Sequence, residues 1–102
     1  MNADIFLENN RRMLVSFCRE NHIIRISLFG SALRGEATTN SDIDLLVEFH
    51  PQHMPGLIKL AGMEIELSHL LGKKVDLRTA QDLSVYFRDE VLREAKEAYA
   101  ET

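Results

Sequence analysis

Tryptophan is missing from this 102-residue chain, and cysteine occurs once, at Cys18. A lone thiol excludes an intramolecular disulfide and fits a reducing compartment. No apolar run approaches the roughly 20 residues needed to span a bilayer. The first 22 residues carry Asp4, Glu8, Arg11 and Arg12 among their apolar positions, which excludes a signal peptide. Positive charge is also short, with 12 Lys and Arg against 16 Asp and Glu and a formal net charge of −4. That balance argues against direct nucleic-acid binding, because gripping a polynucleotide by its phosphates needs a basic face. The expectation is a soluble, cytoplasmic protein with no membrane contact. Internal repeats, low-complexity tracts and linkers are absent too, so residues 1–102 are expected to form one domain. With 45% hydrophobic and 27% charged residues, it can bury roughly 60–70% of its unfolded surface around one modest core.

What is present reads as a small α/β (α+β) fold. Residues 4–20 suit an amphipathic helix with Ile5, Met13, Leu14 and Phe17 near one face. Ile24 to Phe29 is a β-branched run ending at Gly30, hence a strand. Ser31 to Gly35 suits one helical turn, followed by a polar loop through Thr38, Thr39 and Asn40. Asp42 to Phe49 is a second strand, apolar on both faces at Leu45, Leu46 and Val47 and therefore interior. After a loop from His50 to Gly56, Leu57 to Leu71 is a second helix with Leu57, Leu60, Ala61, Met63, Leu67, Leu70 and Leu71 on its core side. Gly72 closes it. Lys74 to Arg78 is a third strand, and Gln81 to Ala100 is mostly helix with Val91, Leu92, Ala95 and Tyr99 as its apolar stripe. The architecture expected is a mixed sheet of about three strands flanked by helices.

The chemistry concentrates in two places. Gly30-Ser31 ends the first strand, and Asp42-Ile43-Asp44 follows ten residues later. Glycine at a strand end lets the backbone turn sharply and lets phosphate oxygens approach without a Cβ in the way. A helical turn opening there offers free N–H groups to an anion, and the Ser31 hydroxyl adds one more donor. A plain turn with Ser31 as helix cap gives the same pattern. A P-loop does not, because Glu36 and Ala37 stand where Lys and Ser or Thr are needed. On a strand, Asp42 and Asp44 share a face while Ile43 and Leu45 point to the core. Such hard oxygen ligands suit Mg²⁺ or Mn²⁺; a solvated acidic strand end is the bland alternative. Asp76, between Val75 and Leu77, adds a third carboxylate from another strand. Three carboxylates on two strands can hold two cations roughly 3.5–4 Å apart for in-line displacement at phosphorus. Asp76 would then be placed to take the proton of the attacking hydroxyl. Arg34 could pair with the triphosphate, or with Glu36 or Asp42 on the surface; Arg78 is a weaker candidate of the same kind.

Phe29-Gly30-Ser31-Ala32-Leu33-Arg34-Gly35-Glu36-Ala37, then Ser41-Asp42-Ile43-Asp44-Leu45-Leu46-Val47, resembles the minimal nucleotidyltransferases of the DNA polymerase β superfamily. The resemblance extends to Asp76 and to Tyr86 through Ala95, with Val85 a departure where relatives often carry proline. It implies a polymerase-β-like nucleotidyltransferase fold and ATP as substrate. It also implies that Gly30 and Ser31 hold the triphosphate, that Asp42 and Asp44 bind both of two Mg²⁺ ions, and that Asp76 completes the nucleophile-side ion. It further implies an antitoxin that transfers AMP to a tyrosine hydroxyl of a HEPN-domain ribonuclease toxin. An antitoxin that neutralises such a toxin by binding alone is the alternative. Transfer to a small molecule such as an aminoglycoside is disfavoured, since no second domain is expected to wall the nucleotide pocket.

The remaining candidates have plainer readings. His50 and His53 flank a loop proline with no further His or Cys expected nearby, and His22 suits the end of the first helix as a cation. Cys18 reads as a small core residue, and Glu64, Glu66, Glu94 and Glu97 as solvated helix charges. Met54, Leu57 and Ile58 could form an exposed edge for a partner, but core packing is expected to absorb most of them.

Overall fold

A four-stranded sheet organises the computed structural model, which describes residues 2–30 and 42–101. Its first helix, α1 (Ala3–Glu20), starts where the Asn2 side chain accepts a hydrogen bond from the Ile5 N–H at 3.1 Å, with Asp4 favourable in the first turn. Strand β1 (Ile23–Phe29) follows, then β2 (Ile43–Phe49), α2 (Leu57–Leu71), β3 (Val75–Arg78), α3 (Arg88–Glu94) and β4 (Lys96–Ala100). A short 3₁₀ turn at Pro51–His53 lies inside the expected loop, and another at Ala80–Asp82 follows β3. Gly72 ends α2 in the left-handed region at φ 70°.

The strand order is β3-β2-β1-β4. β1 pairs antiparallel with both β2 and β4, while β2 pairs parallel with β3 across the α2 connection. Both helices α1 and α2 pack on one face. Leu7, Leu14, Phe17 and Cys18 from α1 and Met63 and Leu67 from α2 meet Ile26, Leu28, Ile43, Leu45, Val75 and Leu77 of the strands. Alternation along each strand therefore sends the intervening residues to an outer face. That face carries Ser27 and Phe29, Asp44 and Leu46, and Asp76 and Arg78.

Several expectations need correction. The fourth strand was not expected: Lys96 to Ala100 has helix-forming residues, yet it pairs along the edge of β1. Pairing with β1 satisfies the backbone donors and acceptors along that side and packs Ala98 and Tyr99 against the core, which outweighs the local helix propensity. Arg25 reinforces the edge with ion pairs to Glu97 at 3.1 Å and Glu48 at 3.6 Å, so Glu97 is a strand charge. Lys96 reaches back to Asp4 in α1. Ile5 is exposed, as are Leu57 (86%) and Ile58 (92%), because α2 turns only Met63 and Leu67 fully inward. Asp42 precedes β2, whose first residue is Ile43. No helix among the described residues is long and apolar enough to cross a membrane.

Candidate active site

The outer face becomes acidic where β1, β2 and β3 come together. Asp44 on β2 is the register partner of Asp76 on β3 and of Phe29 on β1. Neighbouring parallel strands lie about 4.8 Å apart, so the two carboxylates stand side by side. Asp42 lies just before β2, near enough for its charge to act on Asp44. Their cores are fixed from below: Ile43 and Leu45 are fully buried, and Val75 and Leu77 nearly so.

Gly30 completes this patch. It leaves β1 at φ +76°, a conformation that L side chains rarely adopt. A Cβ built there would run into the Asp44 carboxylate, meeting Oδ2 in a hard clash and lying 3.1 Å from Cγ. Glycine is thus required twice, by backbone angle and by the space that Asp44 occupies. Ser31 and Arg34 lie outside the described residues, as do the expected turn and the loop through Asn40.

Electrostatics follow from this crowding. Burial, then the charges of Asp76 and Asp42, push the Asp44 carboxyl above the ordinary aspartate range, with Arg78 pulling the other way. Two cations of the chain itself attend the flanking carboxylates. Lys74 Nζ lies 3.9 Å from Asp42. Arg78 forks onto Asp76, with Nε donating to Oδ1 at 3.1 Å and Nη2 donating to Oδ2 at 3.2 Å. Among the described residues no ion pair reaches Asp44, and no three His, Cys, Asp or Glu side chains converge tightly enough to hold a metal as they stand. The donor set nevertheless has the chemistry a divalent cation wants: hard oxygens, crowded like charges, and one carboxyl whose charged form is disfavoured until a cation arrives.

β3 is held in place by residues that sequence reasoning set aside. Glu64 accepts a hydrogen bond from the Leu77 N–H at 2.8 Å, and Ser68 Oγ accepts one from the Val75 N–H at 2.9 Å. These two groups bracket Asp76. Glu64 is therefore no solvated charge, and its i, i+4 spacing with Ser68 along the helix beside Met63 and Leu67 was the available signal. Below the carboxylate row the same face opens into a cleft of about 600 Å³, lined in part by Ser27, Leu46, Glu48, Thr79, Ala80 and Leu92.

The histidines are arranged differently from expectation. His22 stacks on His53 with ring centroids 3.8 Å apart, and His50 meets His53 edge-on at 6.5 Å. A third histidine thus joins the loop pair, but parallel rings in van der Waals contact leave no place for an ion between them. His22 stands beyond the end of α1 at φ 58°, and its protonation is disfavoured, so it is no dipole-stabilised cation. Cys18 is fully enclosed and its thiol pushed up to about 12, as suits an inert core residue.

The chain is similar to known proteins in both sequence and fold. The nucleotidyltransferase domain family matches residues 11–98. Protein adenylyltransferase MntA of Thermococcus cleftensis is 43% identical over 77 residues, covering 74% of this chain and 76% of that protein. A solved structure provisionally described as a minimal nucleotidyltransferase superposes with a TM-score of 0.73 at 37% identity, covering 93% of this chain and 94% of the other. The same fold also recurs in a crystal structure of a toxin–antitoxin with AMP-PNP, with a TM-score of 0.75 at 26% identity over 89% of this chain and 73% of that one.

Proposed function

This chain belongs to the nucleotidyltransferase domain family, and on that premise we propose that it is a protein adenylyltransferase acting as an antitoxin. In this reading it moves AMP from ATP onto a tyrosine hydroxyl of a HEPN-domain toxin. The observation that carries the proposal is the row of Asp44 and Asp76 as register partners, with Gly30 packed against Asp44. The relative from Thermococcus cleftensis, named a protein adenylyltransferase, and the fold shared with a toxin–antitoxin holding an ATP analogue support the acceptor class.

Asp42, Asp44 and Asp76 would hold Mg²⁺ or Mn²⁺. Bound there, such ions lower the pKa of the attacking hydroxyl and neutralise the leaving group. The rest falls to the chain. Gly30 lets Asp44 stand against the end of β1, where a triphosphate would bind, and Gly30, Ser31 and Arg34 are the residues proposed to hold it. The acceptor oxygen attacks the α-phosphorus, and the bond to the bridging oxygen of the β-phosphate breaks. Pyrophosphate leaves, and the hydroxyl proton passes to the Asp76 carboxylate.

The test is the intact mass of a HEPN-domain partner co-expressed with this chain, wild type or carrying Asp42→Ala and Asp44→Ala. Addition of one or more AMP units with the wild type alone is the expected result. No mass change, with toxicity suppressed by both versions, would instead assign neutralisation to binding alone. Exposed Met54, Leu57, Ile58, Val85 and Tyr86 would then be the surface to examine.

A further inference from the structure

Asp76 is already occupied in this structure by a cation of its own chain. Arg78 takes both of its oxygens, at 3.1 and 3.2 Å. The two residues are separated by one position on β3, so both project from the outer face. Arg78's own register partner is the apolar Leu46, which offers it no carboxylate in its row. The guanidinium therefore leans one row up, toward Asp76 and Asp44, where the charge is. A planar fork over both carboxylate oxygens fills the same coordination space that a divalent cation needs. A cation that approaches either oxygen from that side competes with the fork for it. The side chains of the pair are 47% and 32% exposed, so the contact is a weak one that can be exchanged.

We propose that Arg78 is a placeholder cation: it holds Asp76 while the site is empty and gives it up when a divalent cation binds. The proposal rests on the metal reading given above and adds a competition to it. Without metal, Asp42 and Asp76 each have a cation of the chain nearby, Lys74 and Arg78. The consequence is an intrinsic metal affinity that Arg78 lowers, with the arginine freed toward the cleft below the row when metal enters.

The test is direct binding of Mn²⁺ to the full chain, read by loss of the free-ion electron paramagnetic resonance signal. Arg78→Gln is expected to bind Mn²⁺ about two- to fivefold more tightly than wild type, the range expected for removing a competing half-exposed ion pair. In an Asp76→Asn background the same substitution should change nothing, because the contested ligand is gone. Diamagnetic Mg²⁺ gives an independent reading, since the Arg78 Nε–H resonance of the wild type should shift as the site saturates. Equal or weaker Mn²⁺ binding by Arg78→Gln, or an Nε–H resonance unmoved by saturating Mg²⁺, overturns the placeholder while leaving the metal reading intact. Failure of both wild type and Arg78→Gln to bind Mn²⁺ at millimolar concentration overturns both. Arg78 is exposed, so a melting curve that matches wild type certifies the variant.

Discussion

Replacing Gly30 by alanine separates two costs that the structure superimposes at one position. The backbone at φ +76° charges an L residue about 1–2 kcal/mol. The new methyl also drives Asp44 off its present rotamer, adding about 0.5–1.5 kcal/mol. Together they come to roughly 1.5–3.5 kcal/mol, or a melting temperature lowered by about 6–28 °C in a chain this size. Gly72 supplies the control: its φ is +70°, yet nothing lies within 4 Å of its would-be Cβ. Gly72→Ala should therefore lose only the backbone share. Urea denaturation of Gly30→Ala, Gly72→Ala, Asp44→Ala and the Gly30→Ala/Asp44→Ala double variant closes the comparison. Removing Asp44 should reduce the cost of Gly30→Ala to about that of Gly72→Ala, a coupling of about 1 kcal/mol. If Gly30→Ala costs no more than Gly72→Ala, and costs the same with and without Asp44, the close approach is refuted.

Asp44→Asn should stabilise the metal-free chain at pH 7, because the Asp44 carboxyl titrates above its unfolded value. Sign and window follow: the missing stability returns as pH falls through the raised folded value toward 3.8, so in EDTA the variant's advantage over wild type should shrink across that range. For His22 the folded value is lowered, so stability is present above the ordinary histidine value of 6.5 and lost as pH falls below it. His22→Asn, which tolerates φ 58°, should flatten that loss in urea midpoints measured between pH 7.5 and 5. Glu64→Ala should cost about 1–3 kcal/mol by leaving the Leu77 N–H without its acceptor, seen as faster amide exchange on β3 before any change in α1. Leu67→Ala, at a fully buried site, should cost about 2–5 kcal/mol in the same denaturation assay.

What the sequence disclosed depended on how local the physics was. α1, α2 and the first three strands follow from periodicity over contiguous residues, and Leu57–Leu71 was read to the residue. The carboxylate row was legible because alternation on a strand is arithmetic: once Ile43 and Val75 face the core, Asp44 and Asp76 must face away. β4 was hidden because Lys-Glu-Ala-Tyr-Ala favours helix locally, and only the vacant edge of β1, a tertiary fact, decides otherwise. The histidine stack was hidden for the same reason, since His22 and His53 are 31 positions apart and meet only when β1 and β2 pair. The bond from Arg78 to Asp76 was available in principle, being i, i+2 on one strand. The expectation for Arg78 was instead a weaker version of that for Arg34, pairing with the triphosphate or with a surface acid.

The two faces of the sheet divide stability from chemistry, and that division constrains how the site can be altered. The core residues of the carboxylate strands, Ile43 and Leu45 and Val75 and Leu77, belong to the α1–α2 face. Asp44, Asp76 and Arg78 stand on the opposite face, where their removal opens no core cavity. Burial of Asp44, then the like charges beside it, raise its carboxyl and disfavour its charged form in the metal-free chain. The acidic row is therefore a feature that folding alone would remove, and in the empty chain Lys74 and Arg78 hold it at a tolerable charge. Asp42→Asn with Asp44→Asn should then give a protein at least as stable as wild type in EDTA. A double variant clearly less stable than wild type would mean that the carboxylates support the fold, and the case for their chemistry would lose its physical footing.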